Sequence, residues 1–246
     1  MSDPSPATEH LDVLIIGAGL SGLGAAHYLH KNHPGRSYAI LEARAATGGT
    51  WDLFRYPGAR SDSDLHSFGY EFKPWNRGPA MAHAAQILAY LREAAAENGI
   101  DRQVRLQHRV VSAAWSSTTA RWTVDIERAD TGARQQISCH WLFCAAGYYR
   151  HDQGYTPDLP GLAQFTGPVV HPQHWPATLD WTARRVLVIG SGATAVSLVP
   201  ALASSAAHVT LLQRTPGYVL GLPSADRVAD LLHRLLPQRW AHALLR

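Results

Sequence analysis

Cysteine is scarce in this chain. Its 246 residues hold two, Cys139 and Cys144, which excludes a disulfide-stapled scaffold and fits a reducing, cytoplasmic setting. Charge is sparse as well: charged residues make up 17% and the net charge is +3. With no run of Lys or Arg and no ladder of basic and aromatic residues, the electrostatic footprint of a nucleic-acid binder is missing. No stretch approaches the ~18 uninterrupted apolar residues of a membrane span. The opening MSDPSPATEH lacks the basic front and apolar centre of a signal peptide. What the chain does have is 46% hydrophobic residues, enough for a core, and a length that suits one large domain or two of ordinary size.

One pattern occurs twice. Val13 to Ile16 form an apolar run that reads as a buried parallel strand. Gly17, Gly19 and Gly22 follow in a G-x-G-x-x-G order, and then a helix with Leu20, Leu23, Ala26 and Leu29 among its apolar positions. Gly17 makes the tight turn, Gly19 lets a pyrophosphate approach the backbone, and Gly22 allows helix and strand to pack closely. The free amides at the helix start then hold the phosphates. A second strand, Tyr38 to Leu41, ends in Glu42, 20 residues beyond Gly22. An acid there accepts hydrogen bonds from an adenosine ribose with a free 2′-hydroxyl, as in FAD or NAD. The alternative is a chance glycine-rich turn with a surface glutamate.

The second copy runs from Arg184 to Leu202. Strand Val186 to Ile189 precedes Gly190, Gly192 and Ala195, with Ala193 and Thr194 opening the helix. Alanine can stand in the third position, where only packing distance matters. The next strand, HVTLLQR, ends in Arg214 instead of an acid. A guanidinium fork suits a 2′-phosphate, which points to NADPH; the alternative is an ordinary surface arginine. The chain therefore encodes two dinucleotide sites with opposite charge preferences.

Between the copies, GGTWDLFRYPGARSDSD, residues 48 to 64, reads as a binding loop. Gly48 and Gly49 permit close approach of a ligand, while Trp51, Phe54 and Tyr56 offer flat apolar surface. Asp62 and Asp64 are either functional acids or solvated ones. Residues 81–98 read as a helix capped by Gly99. VRLQ, VVSAAW, RWTVDIE and QQISCHWLFCAA then read as strands of a meander. Cys139 and Cys144 share the last of these, roughly 16 Å apart at ~3.3 Å per residue. A disulfide needs Cα atoms within about 7 Å, and the odd spacing sends the two to opposite faces; buried thiols are predicted. FTGPVVHPQHWP, residues 165–176, has neither helical nor strand period and reads as a loop. Its His171 and His174 have no Cys or paired acid nearby to complete a zinc site, so no metal is predicted.

These residues resemble the Baeyer–Villiger monooxygenases, the class B flavoprotein monooxygenases. The resemblance rests on two dinucleotide fingerprints flanking Phe165, Gly167, His171, Trp175 and Pro176 in an F-x-G-x-x-x-H-x-x-x-W-P order. Gly48-Gly49-Thr50-Trp51, the run Arg55 to Arg60 and Ala145-Ala146-Gly147 also fit, although the family more often has Thr at the middle of the last. The resemblance covers almost the whole chain. It implies an α/β fold of two Rossmann-like, doubly wound, three-layer units, the second truncated, with an antiparallel meander in the first. Residues 1–150 would bind FAD, 151–184 would form the linker with the signature, and 185–246 would form an incomplete NADPH-binding domain. FAD would be held by Gly17, Gly19, Gly22, Glu42, Gly49, Thr50, Trp51 and Asp62, and NADPH by Gly190, Gly192, Ala193, Thr194 and Arg214.

The implied chemistry has two stages. NADPH gives hydride to FAD, and reduced flavin captures O₂ as a C4a-peroxide, which oxidises a small apolar ketone or the sulfur of a thioamide or thioether. The protein positions the cofactors and excludes water. Asp62 corresponds to an acid that orients a catalytic arginine, and His171 and Trp175 to residues that couple cofactor movement to catalysis. Members of the family are roughly twice this long, two full domains being needed. The resemblance therefore implies that this chain is an N-terminal part and that the arginine lies beyond Arg246. On that expectation the chain alone is poorly soluble and passes electrons to O₂ as hydrogen peroxide. Two other readings stand beside this one: a flavin-dependent NADPH oxidase or reductase without oxygenation, and an inactive flavin-binding remnant. The tail, SADRVADLLHRLLPQRWAHALLR, reads as a helical segment whose Val228, Leu231, Leu232 and Leu235 want a protein surface, a peripheral membrane helix being the alternative.

Overall fold

The computed structural model describes residues 9–76, 78–215, 217–221, 223 and 226–245. The leader reading of residues 1–8 and the first two residues of the tail segment, Ser224 and Ala225, lie outside them. In chain order the elements are β1 (Glu9–Ile16), α1 (Leu20–Asn32), β2 (Tyr38–Leu41), α2 (Thr50–Leu53), α3 (Leu65–Phe68), α4 (Ala84–Glu97), β3 (Val104–Arg105), β4 (His108–Ser116), β5 (Arg121–Arg128), β6 (Arg134–Cys144), β7 (Arg185–Ile189), α5 (Ala193–Ala203), β8 (His208–Leu212), α6 (Arg227–Leu235) and α7 (Gln238–Leu245). Among the described residues no helix is long and apolar enough to cross a membrane.

The chain forms two compact units, residues 1–52 with 88–149 and residues 53–87 with 150–246. The sequence-based partition differs in two places. It put residues 53–87 with the FAD-binding residues and set 151–184 apart as a linker; both segments are part of the second compact unit.

In the first unit a six-stranded sheet has the order β3-β2-β1-β6-β5-β4. β3, β2, β1 and β6 run parallel, and β5 and β4 complete it as an antiparallel meander. Leu11, Leu14, Ala39, Leu41, Val124, Ile126, Ile137 and Cys139 form one buried cluster on it. The apolar run of β1 needs cover on both faces because it lies between two parallel neighbours. Register places Ile16 beside Leu41 on one side and Cys144 on the other. The turns that follow β1, β2 and β6 therefore meet at one edge, the carboxyl end where open α/β sheets bind ligands.

The second unit contains one strand–helix–strand repeat, β7-α5-β8, with parallel register from Arg185–His208 to Ile189–Leu212. Tyr56, Leu198 and Leu202 form its buried centre, with Phe54, Ala59, Trp175, Trp181, Val186, Val188 and Val209 packed around them. Leu187, Ile189, Leu211 and Leu212 on the pair stay more than a third exposed. The tail forms two helices. Pro237 has no amide hydrogen to donate and crowds the preceding turn, which ends α6. Asp226 caps α6, accepting from the Val228 and Ala229 amides. Val228, Leu231 and Leu235 are more than half exposed.

Candidate cofactor sites

Gly17 turns the chain out of β1 with φ +102°. A Cβ there would stand 2.5 Å from the Ala145 carbonyl oxygen, so the turn needs glycine for its dihedral and its neighbour alike. A Cβ on Gly22 would overlap the Gly17 carbonyl oxygen, which is the close helix–strand packing expected of the third glycine. Gly19 faces Gly49: a Cβ on Gly49, whose φ is +54°, would lie 3.0 Å from the Gly19 Cα, and one on Gly19 3.5 Å from the Gly49 Cα. Two bare backbones thus converge at the start of α1, where amides and helix dipole favour an anion.

Hydrogen bonds weld this cradle together. Glu42 is buried, and its carboxylate accepts from the Ala18 amide at 2.9 Å and the Arg44 amide at 3.0 Å. The Ala18 carbonyl accepts from the Gly48 amide at 3.0 Å. Glu42 therefore holds the glycine turn, and each of its oxygens keeps a second lone pair for a further donor. Thr50 starts α2, and the Trp51 amide donates to the Gly48 carbonyl. Sequence reasoning missed three residues here. Asp52 is buried between Arg44 (2.6 Å) and Arg92 (2.9 Å), and both arginines also hold carbonyls of the same loop. Their signal was weak, since Arg92 comes from α4, 40 residues away from Asp52.

In the second unit Gly190 has φ +137° and, like Gly192, has open space where a Cβ would stand. A cleft of about 440 Å³ opens there, lined by Ile189, Gly190, Ser191, Leu212, Gln213, Arg214 and Thr215. The fingerprint turn and the strand-end arginine thus share one cleft, with Arg214 exposed to it. Ala193 and Thr194 open α5, and Ala195 is buried. The donor sets fit the implied cofactors. The first offers a side-chain-free anion cradle and a carboxylate, the second an open glycine turn and a cation.

The remaining residues are dispersed within the second unit. Asp62 is exposed. Asp64 caps α3, accepting from the His66 amide at 2.9 Å and the Ser67 hydroxyl at 2.7 Å, so of the two roles left open for it the structure shows a local, capping one. His171 Nδ1 accepts from the Gln173 amide at 3.2 Å and starts a 3-10 turn, Pro172–His174. The His171 ring covers the face of Gly154, where no Cβ would fit. Gln173 is buried and its Nε2 donates to the Arg150 carbonyl at 2.6 Å. Trp175 packs edge-on against Trp181 with centroids 5.7 Å apart. The prediction of two buried thiols holds for Cys139, whose pKa burial pushes up to about 11. It fails for Cys144, which is exposed, because that residue ends β6 on the opposite face. Both cysteines are free.

Residues 11–238 match the family described as pyridine nucleotide-disulphide oxidoreductase. The chain is 52% identical over 240 residues to the FAD-containing monooxygenase EthA of Mycobacterium tuberculosis, covering 97% of this chain and 49% of that protein. It is 44% identical to the probable FAD-binding monooxygenase AlmA of Acinetobacter baylyi, covering 97% and 48%. The fold is similar to a steroid monooxygenase bound to NADP, with a TM-score of 0.78, 32% identity and coverage of 96% and 43%. It is also similar to cyclohexanone monooxygenase from Rhodococcus sp. Phi1 bound to NADP+, with a TM-score of 0.75, 30% identity and coverage of 88% and 40%. The chain spans about half the length of the curated relatives it matches. By the match along nearly its whole length, this chain belongs to the pyridine nucleotide-disulphide oxidoreductase family.

Proposed function

We propose that this chain supplies the FAD-binding and NADPH-binding elements of a flavin monooxygenase. The observation that carries the reading is the contrast between two similar turns: one has a buried carboxylate at its strand end, the other an exposed arginine in its cleft. Gly17, Gly19, Gly49, Thr50 and Trp51 would hold the pyrophosphate and flavin side of FAD, with Glu42 at the ribose. Gly190, Gly192, Ala193, Thr194 and Arg214 would hold NADPH. When bound, FAD accepts hydride from NADPH and, once reduced, lets one atom of O₂ pass to a substrate. The chain's own share is to bind, orient and exclude water. Asp62, His171 and Trp175 keep the roles the resemblance implies. For His171 a positioning role is supported by its hold on Gly154 and Gln173.

The substrate class we favour is a small apolar ketone or a soft sulfur compound. The ketone is supported by relatives of the cyclohexanone monooxygenase type. We place the chain in the cytoplasm on its scarcity of cysteine. The test is to desalt the purified chain after adding FAD, record the flavin band, and titrate anaerobically with NADPH. Retained flavin that bleaches with NADPH supports the reading, and protein that keeps no flavin refutes it. Aerobic turnover with a thioether or ketone, following product and hydrogen peroxide together, separates oxygenation from simple oxidase chemistry.

A further inference from the structure

Arg44, Asp52 and Arg92 form an ion cluster beside the cradle, all within the first unit. Asp52 is 3% exposed, and a carboxylate so buried must be paired. Both its oxygens are engaged: Oδ2 by Arg44 at 2.6 Å and Oδ1 by Arg92 at 2.9 Å. Each arginine spends a further donor on the backbone of one short loop. Arg44 Nη1 donates to the Gly49 carbonyl at 3.0 Å, and Arg92 Nη2 to the Thr47 carbonyl at 3.3 Å. Gly49 is the residue whose Cα closes against Gly19, and Gly48 is tied to the Ala18 carbonyl. The cluster is thus hydrogen-bonded to one wall of the cradle. Two grips on carbonyls on either side of Gly48, anchored on one buried acid, are more than the loop needs for closure, because the Trp51 and Asp52 amides already close its turns.

We propose that Arg44, Asp52 and Arg92 are positioning residues that hold the Gly49 backbone in contact with Gly19, and so fix the wall of the cradle against which a pyrophosphate would lie. This deepens the flavin reading and rests on it. The planar guanidinium is essential to the device, since a lysine ammonium cannot hold a carboxylate and a carbonyl in a fixed fork. Asp52 offsets one of the two arginine charges, and the cluster keeps a net positive charge beside the cradle.

The experiment compares the parent chain with Arg44→Lys and Arg92→Lys, which keep charge and leave Asp52 paired, and with Asp52→Asn. Dissociation constants are measured for FAD, for ADP as a probe of the cradle without the flavin ring, and for NADP+ as a control in the second unit. Arg44→Lys and Asp52→Asn should weaken FAD and ADP at least tenfold and in parallel, Arg92→Lys less, with NADP+ affinity unchanged. Parent-like FAD affinity in Arg44→Lys would overturn the proposal, and so would an equal loss of FAD, ADP and NADP+, which would mean general destabilisation. A parent chain that binds NADP+ but neither FAD nor ADP would refute the flavin reading itself.

Discussion

At the residue scale, the proposed division of labour between two cofactors rests on the two strand-end positions. Glu42 is tied to the Ala18 and Arg44 amides, and hydrogen bonds to a charged group contribute ~1.5–3 kcal/mol each. Glu42→Lys removes both and adds repulsion with Arg44. We expect at least a tenfold loss of FAD affinity, read by flavin retained after desalting; equal occupancy in variant and parent would remove Glu42 from the site. Arg214 faces the cleft of the second unit. Arg214→Ala should cost roughly ten- to a hundredfold in NADPH affinity, one charge-assisted pair, and leave NADH unchanged. Binding isotherms for both nicotinamides decide it, and an unaltered preference would mean that Arg214 points elsewhere. Both residues were legible in the sequence because fingerprint and strand end stand at a fixed spacing. Asp52 was not, since its partners are fixed by packing instead of spacing.

At the element scale, the segment after Gly49 behaves differently from its sequence neighbourhood. Tyr56 is buried with Leu198 and Leu202 of α5, and its hydroxyl meets Ser197 Oγ at 3.1 Å. Ser197 has one hydroxyl hydrogen, placed to reach the Ala193 and Thr194 carbonyls of its own helix. The arrangement is best satisfied when Tyr56 donates. Gly58 lies against the Ser197 carbonyl with φ +81°, with no room for a Cβ. Tyr56→Phe should therefore cost about 1 kcal/mol. Gly58→Ala should cost more, because a strained dihedral and a backbone clash add. Denaturant unfolding followed by tryptophan fluorescence ranks the two; the reverse order would show that loop and helix do not depend on each other. The regular elements themselves were legible: the four strands from VRLQ onward and the helix ending before Gly99 fall within a few residues of their predicted places, but the first, β3, pairs parallel with β2 and only β4, β5 and β6 form the meander. The tail is helical as read, in two pieces divided at Pro237.

At the scale of the whole molecule, three histidines gather where α3, α6 and α7 meet in the second unit. His66 and His242 are buried, and the His66 and His233 rings lie 5.4 Å apart. Among the described residues, Nε2 of His66, His233 and His242 is buried without a hydrogen-bond partner. Burial, and then the charges that His66 and His242 would carry, hold His233 below the usual imidazole range, against the opposite pull of Asp230. The folded chain then binds fewer protons than the unfolded chain. Its stability is full above the unfolded value of about 6.5 and declines as pH falls through the lower folded value. We expect the melting temperature to drop between pH 7.5 and pH 5.5, and His233→Gln to flatten that drop. A slope unchanged by His233→Gln would assign it to other groups.

The sequence by itself determined the two nucleotide fingerprints, their opposite strand-end charges, the antiparallel meander and the family, because each is written in local spacing and period. Tertiary structure alone decided three things. Residues 53–87 join the second compact unit because Tyr56 and Phe54 find their apolar partners on α5. The glycine loop is clamped by two arginines because α4 brings Arg92 to Asp52. One cysteine is buried and the other is not, because the apolar cluster of the first unit encloses Cys139 and leaves Cys144 exposed. All three depend on contacts between residues distant in sequence, and hydrophobic burial and charge pairing select such contacts only once the chain has folded.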